Sequence, residues 1–421
     1  MDLEAWETAL RAAVLRAGAG ILSELLSEIG SGHRNQPVDC SCGERMSSRG
    51  LRSKPLVTLL GSVEFRRTML RCKACGAVRY PGDEALDVVG TSRSPGVRRL
   101  MARAGSQSTF KEGREDLRIF AGIKVSPKDV ERVAEKVGEE IEEWTAEERR
   151  QLTARAELPE IGPPIDTLYV CFDGTGVPMI PSARRGRKGK QPDGSARTRE
   201  AKLGCVFTQT TVDKNGRPVR DPASTTFVGA IETAEQFGHR IYAEAVRRGL
   251  NRARRVVVIA DGAAWIHNLV QIHFPKATQV LDLYHAREHL SDLSKLVAPD
   301  DPKRAAALRE RWWSQLDKDE ISKILLRARA YRPEEPEIRK RIDQEIGYFE
   351  TNRKRMSYAR YRQEGLFVGS GVIEAGCKTV IGQRLKRSGM EWSVRGANAI
   401  IALRCNLISG RFEDYWEQRV A

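Results

Sequence analysis

The feature that most limits what this chain can fold into is the segment Thr167–Val177, TLYVCFDGTGV. Leu168 to Phe172 is an unbroken apolar run that stops on Asp173 and Gly174. A run that short and apolar predicts a strand buried on both faces in the middle of a sheet. An aspartate at the C-terminal end of such a strand has lost much of its hydration, so it must be paired, hydrogen-bonded or bound to a cation. The pattern recurs where Arg255–Ala260 (RVVVIA) runs into Asp261-Gly262. Either Asp-Gly alone reads as a turn capping the next element. Two strands that deliver carboxylates to one edge of a sheet point instead to a divalent-cation site.

A chain of 421 residues exceeds one ordinary core and predicts two or three domains. No stretch approaches the ~20 continuous apolar residues of a membrane helix. The opening MDLEAWETAL is acidic and helical, unlike a signal peptide. A soluble, cytoplasmic, nucleoid-associated protein without a membrane partner is expected. The net charge of +15 favours a polyanion, nucleic acid before membrane surface. Of eight cysteines, four cluster in one short region and four are scattered through apolar segments. That distribution suits a reducing compartment and one metal site better than a disulfide framework.

Residues 1–32 predict an amphipathic helix, with Trp6, Leu10, Val14, Leu15, Ile21, Leu22, Leu25 and Ile29 at helical spacing before Gly30-Ser31-Gly32. It serves as a packing or oligomerisation arm. Residues 33–90 carry Cys40-Ser-Cys42, a strand-rich stretch over Leu56–Leu70 turning at Gly61, and Cys72-Lys-Ala-Cys75. Two cysteine knuckles around a hairpin form a zinc ribbon, a four-thiolate site for structural Zn²⁺. The first pair is one residue shorter than the usual spacing, and His33 is an alternative ligand. Residues 91–160 predict helices over Val97–Ala104, Phe110–Phe120 and Pro127–Val137, with Ser126 as N-cap. The outline is that of a helix-turn-helix DNA-binding region, an outline any helical hairpin shares. A charged helix runs on to about Ala154, and Pro159 and Pro163-Pro164 mark a boundary.

From residue 165 the pattern is α/β. After Asp173 comes a loop rich in Arg184, Arg185, Arg187, Lys188, Lys190, Arg197 and Arg199, expected to be disordered until a phosphate backbone arrives. Strands over Lys202–Val212 and Ser224–Ile231, a helix over Ala234–Arg248, the strand ending at Asp261, a helix over Ala264–His273 and a strand over Gln279–Leu283 follow. This is the ribonuclease-H-like order, in which the first and fourth strands adjoin and bring Asp173 beside Asp261. The expected core is 165–290, interrupted by an all-helical insertion over 291–366 that contains Trp312-Trp313, Tyr348 and Phe349. Residues 367–421 return as helices completing the core. There Ser370 opens a helix carrying Glu374, with Lys378, Arg384, Lys386 and Arg387 placed to meet phosphates. Alone, Glu374 reads equally as a surface glutamate.

Taken together, Asp173, Asp261-Gly262, Asp282-Leu-Tyr-His285 and Glu374 behind a helical insertion resemble the DDE transposases of bacterial insertion sequences, in particular the Kra-type transposases related to the Mutator-like group. ADGAAWI (260–266), LDLYHAREHL (281–290) and GSGVIEAGCK (369–378) are similar to that family's core blocks. The resemblance implies a metal-binding triad of Asp173, Asp261 and Glu374 holding two Mg²⁺ or Mn²⁺ ions. Asp282 and His285 match a supporting motif, with His285 orienting a carboxylate or contacting the scissile phosphate. By spacing alone Asp282 is also a candidate for the second acid, because it too ends a strand. The implied activity is cleavage of insertion-sequence ends and joining of their 3′-hydroxyls to target DNA, by a homodimer or larger assembly on double-stranded DNA. Two other readings stay open: a zinc-ribbon DNA-binding regulator without catalysis, and a nuclease of the same fold that cuts without joining.

Overall fold

The computed structural model describes residues 2–29, 38–154, 162–189 and 191–419. The Gly30–Gly32 turn, His33, Pro159 and Lys190 lie outside them. The chain divides into two compact units, residues 1–138 and 139–421.

In the first unit, α1 (Leu3–Ile29) lies along the antiparallel hairpin of β1 (Arg45–Thr58) and β2 (Gly61–Cys72). Ala19, Leu22 and Leu26 of α1 pack on Leu56, Val63 and Phe65, while Trp6, Leu10, Val14 and Ile21 stay exposed. Two-residue strands at 38–39 and 78–79 flank the hairpin and complete a four-stranded sheet. Then α2 (Pro95–Gln107), α3 (Phe110–Ala121) and the first turns of α4 (Pro127–Ala154) enclose Val97, Met101, Leu117, Ile123 and Val130. Local chemistry sets these boundaries. Thr109 and Glu112 form a capping box at the start of α3, and Gly122 ends it in the left-handed region at φ 69°. The Ser126 hydroxyl accepts from the Asp129 N–H at 3.0 Å. The expected third helix and the charged connector are one continuous helix.

The second unit is mixed α/β. Its five-stranded sheet comprises β3 (Ile165–Pro178), β4 (Thr198–Gln209), β5 (Thr226–Ala230), β6 (Ala253–Ala260) and β7 (Thr278–Leu281), in the spatial order β7-β6-β3-β4-β5. The pairs β3–β4 and β4–β5 are antiparallel, while β3–β6 and β6–β7 are parallel. As the apolar run requires, β3 is buried on both faces. Leu168, Val170 and Phe172 join Val206, Phe237, Ile241 and Val258 on one side. On the other, Tyr169 stacks on Phe207 with ring centroids 4.8 Å apart.

The strand does not stop at Asp173 as expected. It pairs with β4 as far as Pro178 opposite Thr198, whereas its pairing with β6 ends at Cys171 opposite Ile259. Asp173 therefore sits where one neighbour of a continuing strand ends. β4 also begins earlier and ends earlier than the sequence implies. Thr211–Val212 and Pro218–Val219 form a separate ribbon around the Asp213–Gly216 turn. The basic loop, expected to be disordered, folds back so that Lys188 bridges Ser195, and the Asp193 carboxylate accepts from the Ser195 N–H at 2.9 Å.

Helices α5 (Ala234–Arg247) and α6 (Ala264–His273) cover one face. After β7 come α7 (Leu283–Val297), α8 (Pro302–Leu316), α9 (Ile321–Ala330) and α10 (Pro336–Asn352), the expected helical segment, with Trp312, Leu316, Ile324 and Phe349 buried in it. The chain returns through α11 (Gly371–Gly376), a π-helical turn over Cys377–Gly382, α12 (Val394–Ile408) and α13 (Phe412–Gln418). Asn398 of α12 and Ser409 at its C-cap accept from the N–H groups of Ile231 and Phe227, tying the helix to the β5 edge. No helix among the described residues is long and apolar enough to cross a membrane.

A buried ion-pair network fastens α4 to α5. The Arg240 guanidinium, 9% exposed, bonds Glu232 at 2.7 Å and both Glu142 oxygens at 2.9 Å. Arg240→Ala leaves Glu232 without its cation and Glu142 with Arg149 alone at 2.7 Å, and is expected to cost ~3–5 kcal/mol in denaturant unfolding. A loss below ~1 kcal/mol would show that water replaces the guanidinium.

Candidate active site and metal centre

Register brings the aspartates together. Carrying the parallel pairing of Cys171 with Ile259 two residues further sets Asp173 beside Asp261. The pairing of Ala260 with Leu281, carried one residue further, sets Asp282 beside Asp261. The Asp282 N–H extends the ladder to the Ala260 carbonyl at 2.9 Å. Three carboxylates thus line the C-terminal edge of the central parallel strands.

Their environments differ. Asp173 accepts from the Gly174 N–H at 2.7 Å and from the Cys377 thiol at 3.5 Å. Asp261 accepts from the Ala263 N–H at 2.9 Å and keeps part of its surface exposed. Asp282 is fully buried with both oxygens engaged: Oδ1 caps α7 through the His285 N–H at 2.7 Å, and Oδ2 accepts from the Ser370 N–H. Asp282 therefore ties the end of β7 to the segment that carries Glu374. Ser370 in turn donates to Glu374 Oε1 at 3.0 Å. Gly376 permits the close approach of α11 to the sheet, since a Cβ there would lie 2.4 Å from the Phe227 ring.

Electrostatics report the proximity. Burial pushes the Asp173 carboxyl above its usual range and the Asp261 charge adds to the rise, while the Gly174 N–H, Cys377 and His285 oppose it. Burial also pushes the Cys377 thiol up, reinforced by Asp173 and Glu374 and opposed by Lys386. His285 is half-buried, with Nδ1 3.6 Å from Glu288. Cys377 was not singled out from sequence, although it lies three residues after Glu374, a spacing that shares a helix face. The three acids of the expected triad are not drawn within 4.8 Å of one another; among the described residues only the four ribbon cysteines form such a set.

The basic residues fall into three groups. Arg185, Arg187 and Lys188 are exposed on the folded loop, and Arg184 lies 3.9 Å from Glu391. Lys378, Lys386 and Arg387 are exposed, and Lys386 bonds the Thr175 hydroxyl on β3, two residues past Asp173. Arg384 departs from the expectation that it meets phosphates. It is fully buried, its guanidinium 5.0 Å from the centre of the Trp392 ring and 3.4 Å from the Met390 sulfur. Trp392 pairs with the end of β3 and folds this stretch inward.

In the first unit all four cysteines converge. Cys40 Sγ lies 3.5 Å from Cys75 Sγ, and Cys42 Sγ 3.6 Å from Cys72 Sγ. Thiolates ~2.3 Å from a tetrahedral Zn²⁺ stand ~3.8 Å apart, so the set fits zinc. The short Cys-x-Cys is accommodated because Gly43 turns at φ 88°, as Gly76 does at φ 77° behind the second pair. The backbone N–H of Cys42, then the Cys75 thiol, pull Cys40 down to about 6, whereas Cys42, despite the Glu44 N–H, is pushed up to about 12 by Cys75, Cys40 and Cys72, so the crowded thiols share their protons until a cation replaces them.

Residues 241–419 match the family model described as "Uncharacterised protein family (UPF0236)". A UPF0236 protein of Caldanaerobacter subterraneus subsp. tengcongensis is 24% identical over 359 residues, covering 83% of this chain and 67% of the relative. Among solved structures, the Drosophila P element transposase strand transfer complex is matched over 80% of this chain and 83% of that chain, at 9% identity and a TM-score of 0.26.

Purified protein is expected to carry about one zinc per chain by elemental analysis, and Cys72→Ser to lose it together with several kcal/mol of stability. Full zinc content in the variant would remove Cys72 from the ligand set. Because the native pKa of Asp173 is raised, the native state holds its proton more tightly than the unfolded chain does. Its contribution to stability is present below the ordinary carboxylate range and is lost as pH rises through the shifted value. Asp173→Asn is therefore expected to melt ~2 °C or more above the parent at pH 7 in EDTA, with the difference vanishing near pH 3. A variant that melts lower at both pH values would refute this.

Proposed function

We propose that the chain is a DDE transposase whose second unit is a ribonuclease-H-like catalytic core, interrupted by the helical segment that follows β7. What carries the reading is the juxtaposition of Asp173 and Asp261 on adjoining parallel strands, with Glu374 held to the same sheet edge through the Asp282–Ser370 tie. The order β7-β6-β3-β4-β5, three antiparallel strands extended on the far side by two parallel ones, supports the core assignment.

In this reading Asp173, Asp261 and Glu374 are the ligands for two Mg²⁺ or Mn²⁺ ions, since hard cations prefer anionic oxygen donors. When bound, such ions supply charge neutralisation for in-line phosphoryl transfer. Asp261 serves as the second acid in preference to Asp282, because Asp282 is fully buried while Asp261 keeps part of its surface open to a cation. His285, in the field of Asp173, orients that carboxylate. Lys378, Lys386 and Arg387 grip phosphates flanking the site, and Arg184, Arg185, Arg187 and Lys188 grip them further out. Water attacks the phosphodiester at the element's end and releases a 3′-hydroxyl. That hydroxyl attacks a target phosphodiester, one P–O bond forming as another breaks, so no external energy source is needed. The zinc ribbon (33–90) and the helices over 91–160 recognise the DNA ends, and paired ends call for a dimer or larger assembly.

The test is incubation of the purified protein with labelled DNA carrying the element's end, in Mg²⁺, Mn²⁺ or EDTA. Metal-dependent cleavage with joined products is expected, and Asp173→Asn, Asp261→Asn and Glu374→Gln should each lower cleavage at least ~10³-fold while leaving DNA affinity within a few-fold. Cutting without joining would make the protein a nuclease, and binding without either reaction would make it a regulator.

A further inference from the structure

One side chain of the helical segment is placed in a way packing alone does not explain. Tyr348 of α10 lies against the Asp261-Gly262 turn, so close that a Cβ on Gly262 would sit 2.5 Å from the ring and 3.0 Å from the hydroxyl oxygen. Glycine at 262 is what lets the ring rest there. The ring is clamped on its other side by His289, stacked at 3.7 Å between centroids, and edge-on by Phe349 at 5.4 Å. His289 is itself fixed by Glu345 at 2.7 Å. Yet the Tyr348 hydroxyl is shut off from solvent and has no hydrogen-bond partner. A buried hydroxyl left unsatisfied costs ~1–3 kcal/mol, and phenylalanine would fill the same space without that cost. The carboxylates whose fields reach this hydroxyl are Asp261, Asp282 and Glu345, with Arg355 opposing them. None of them bonds it.

Resting on the transposase reading, we propose that Tyr348 is a further catalytic residue: DNA entry draws the Asp261-Gly262 turn back from the ring, and the uncovered hydroxyl donates a hydrogen bond to a non-bridging oxygen of the scissile phosphate seated against Asp261. A phenol is protonated at neutral pH and is a donor suited to an anionic oxygen. The bond is made only with DNA in place, which is why the free protein leaves the hydroxyl unpaired. This gives the helical segment a direct part in the chemistry. It aims a donor, pre-aligned by His289 and Glu345, at the carboxylate edge of a different element.

Tyr348→Phe in the full chain is the test. The variant is expected to melt at or above the parent temperature and to bind the end duplex in Ca²⁺ within about twofold. Its single-turnover cleavage in Mg²⁺ should be slower by ~10²-fold, the usual loss of one donor. A phosphorothioate at the scissile position adds a readout that a structural role would not move. One diastereomer should slow the parent protein, and that extra slowing should disappear in Tyr348→Phe. The proposal is overturned if the variant cleaves at the parental rate, or if sulfur slows both proteins equally. Parent protein that cleaves no DNA end would overturn the transposase reading and this assignment with it, an outcome distinct from an active parent with an equally active variant.

Discussion

Two carboxylates with reduced hydration on adjoining strands are the constraint around which the second unit is built. Burial raises the Asp173 carboxyl and the neighbouring Asp261 charge raises it further, so the two groups repel. Burial of Leu168, Val170 and Phe172 contributes ~1.5–3 kcal/mol each, which holds the strands together despite the repulsion. The surroundings answer the charge with donors and dipoles: the N–H groups of Gly174 and Ala263, the Cys377 thiol, and His285 within electrostatic reach of Asp173.

Asp282 is the mechanical counterpart of that pair. It extends the row of aspartates but spends both oxygens on backbone N–H groups, fixing the start of α7 and the entry to α11 at once. The chain between these two points is almost entirely helical and returns to within bonding distance of where it left. A long helical segment can thus be carried between Asp261 and Glu374 without loosening either. Its α10 also reaches back to the Asp261-Gly262 turn, so the segment is anchored at its ends and in its middle.

The two units are stabilised by different means. The second has a sheet covered by helices, with Arg240 bridging Glu142 and Glu232 inside it. The cysteine end of the first unit's hairpin has only a small apolar cluster of Cys40, Met46, Leu70 and Cys72. There a metal held by the four converging thiols would supply the energy that the small core lacks.

Sequence alone determined what depends on neighbours along the chain. The apolar runs ending in Asp-Gly, the cysteine pairs, the capping residue Ser126, and the alternation of strands and helices after residue 165 are legible because burial period, turn geometry and capping act over a few residues. Tertiary structure decided what depends on partners far away in sequence. β4 carries the pairing of β3 past Asp173, so a carboxylate that looked terminal lies within a strand. Trp392 draws Arg384 inward, although a basic stretch reads as surface. The backbone of Ser370 claims an oxygen of Asp282, and the ring of Tyr348 fits a glycine 86 positions away. A residue type states which interactions a side chain can make. Which ones it makes is set by the groups that packing brings within ~3–4 Å, and these come from other elements.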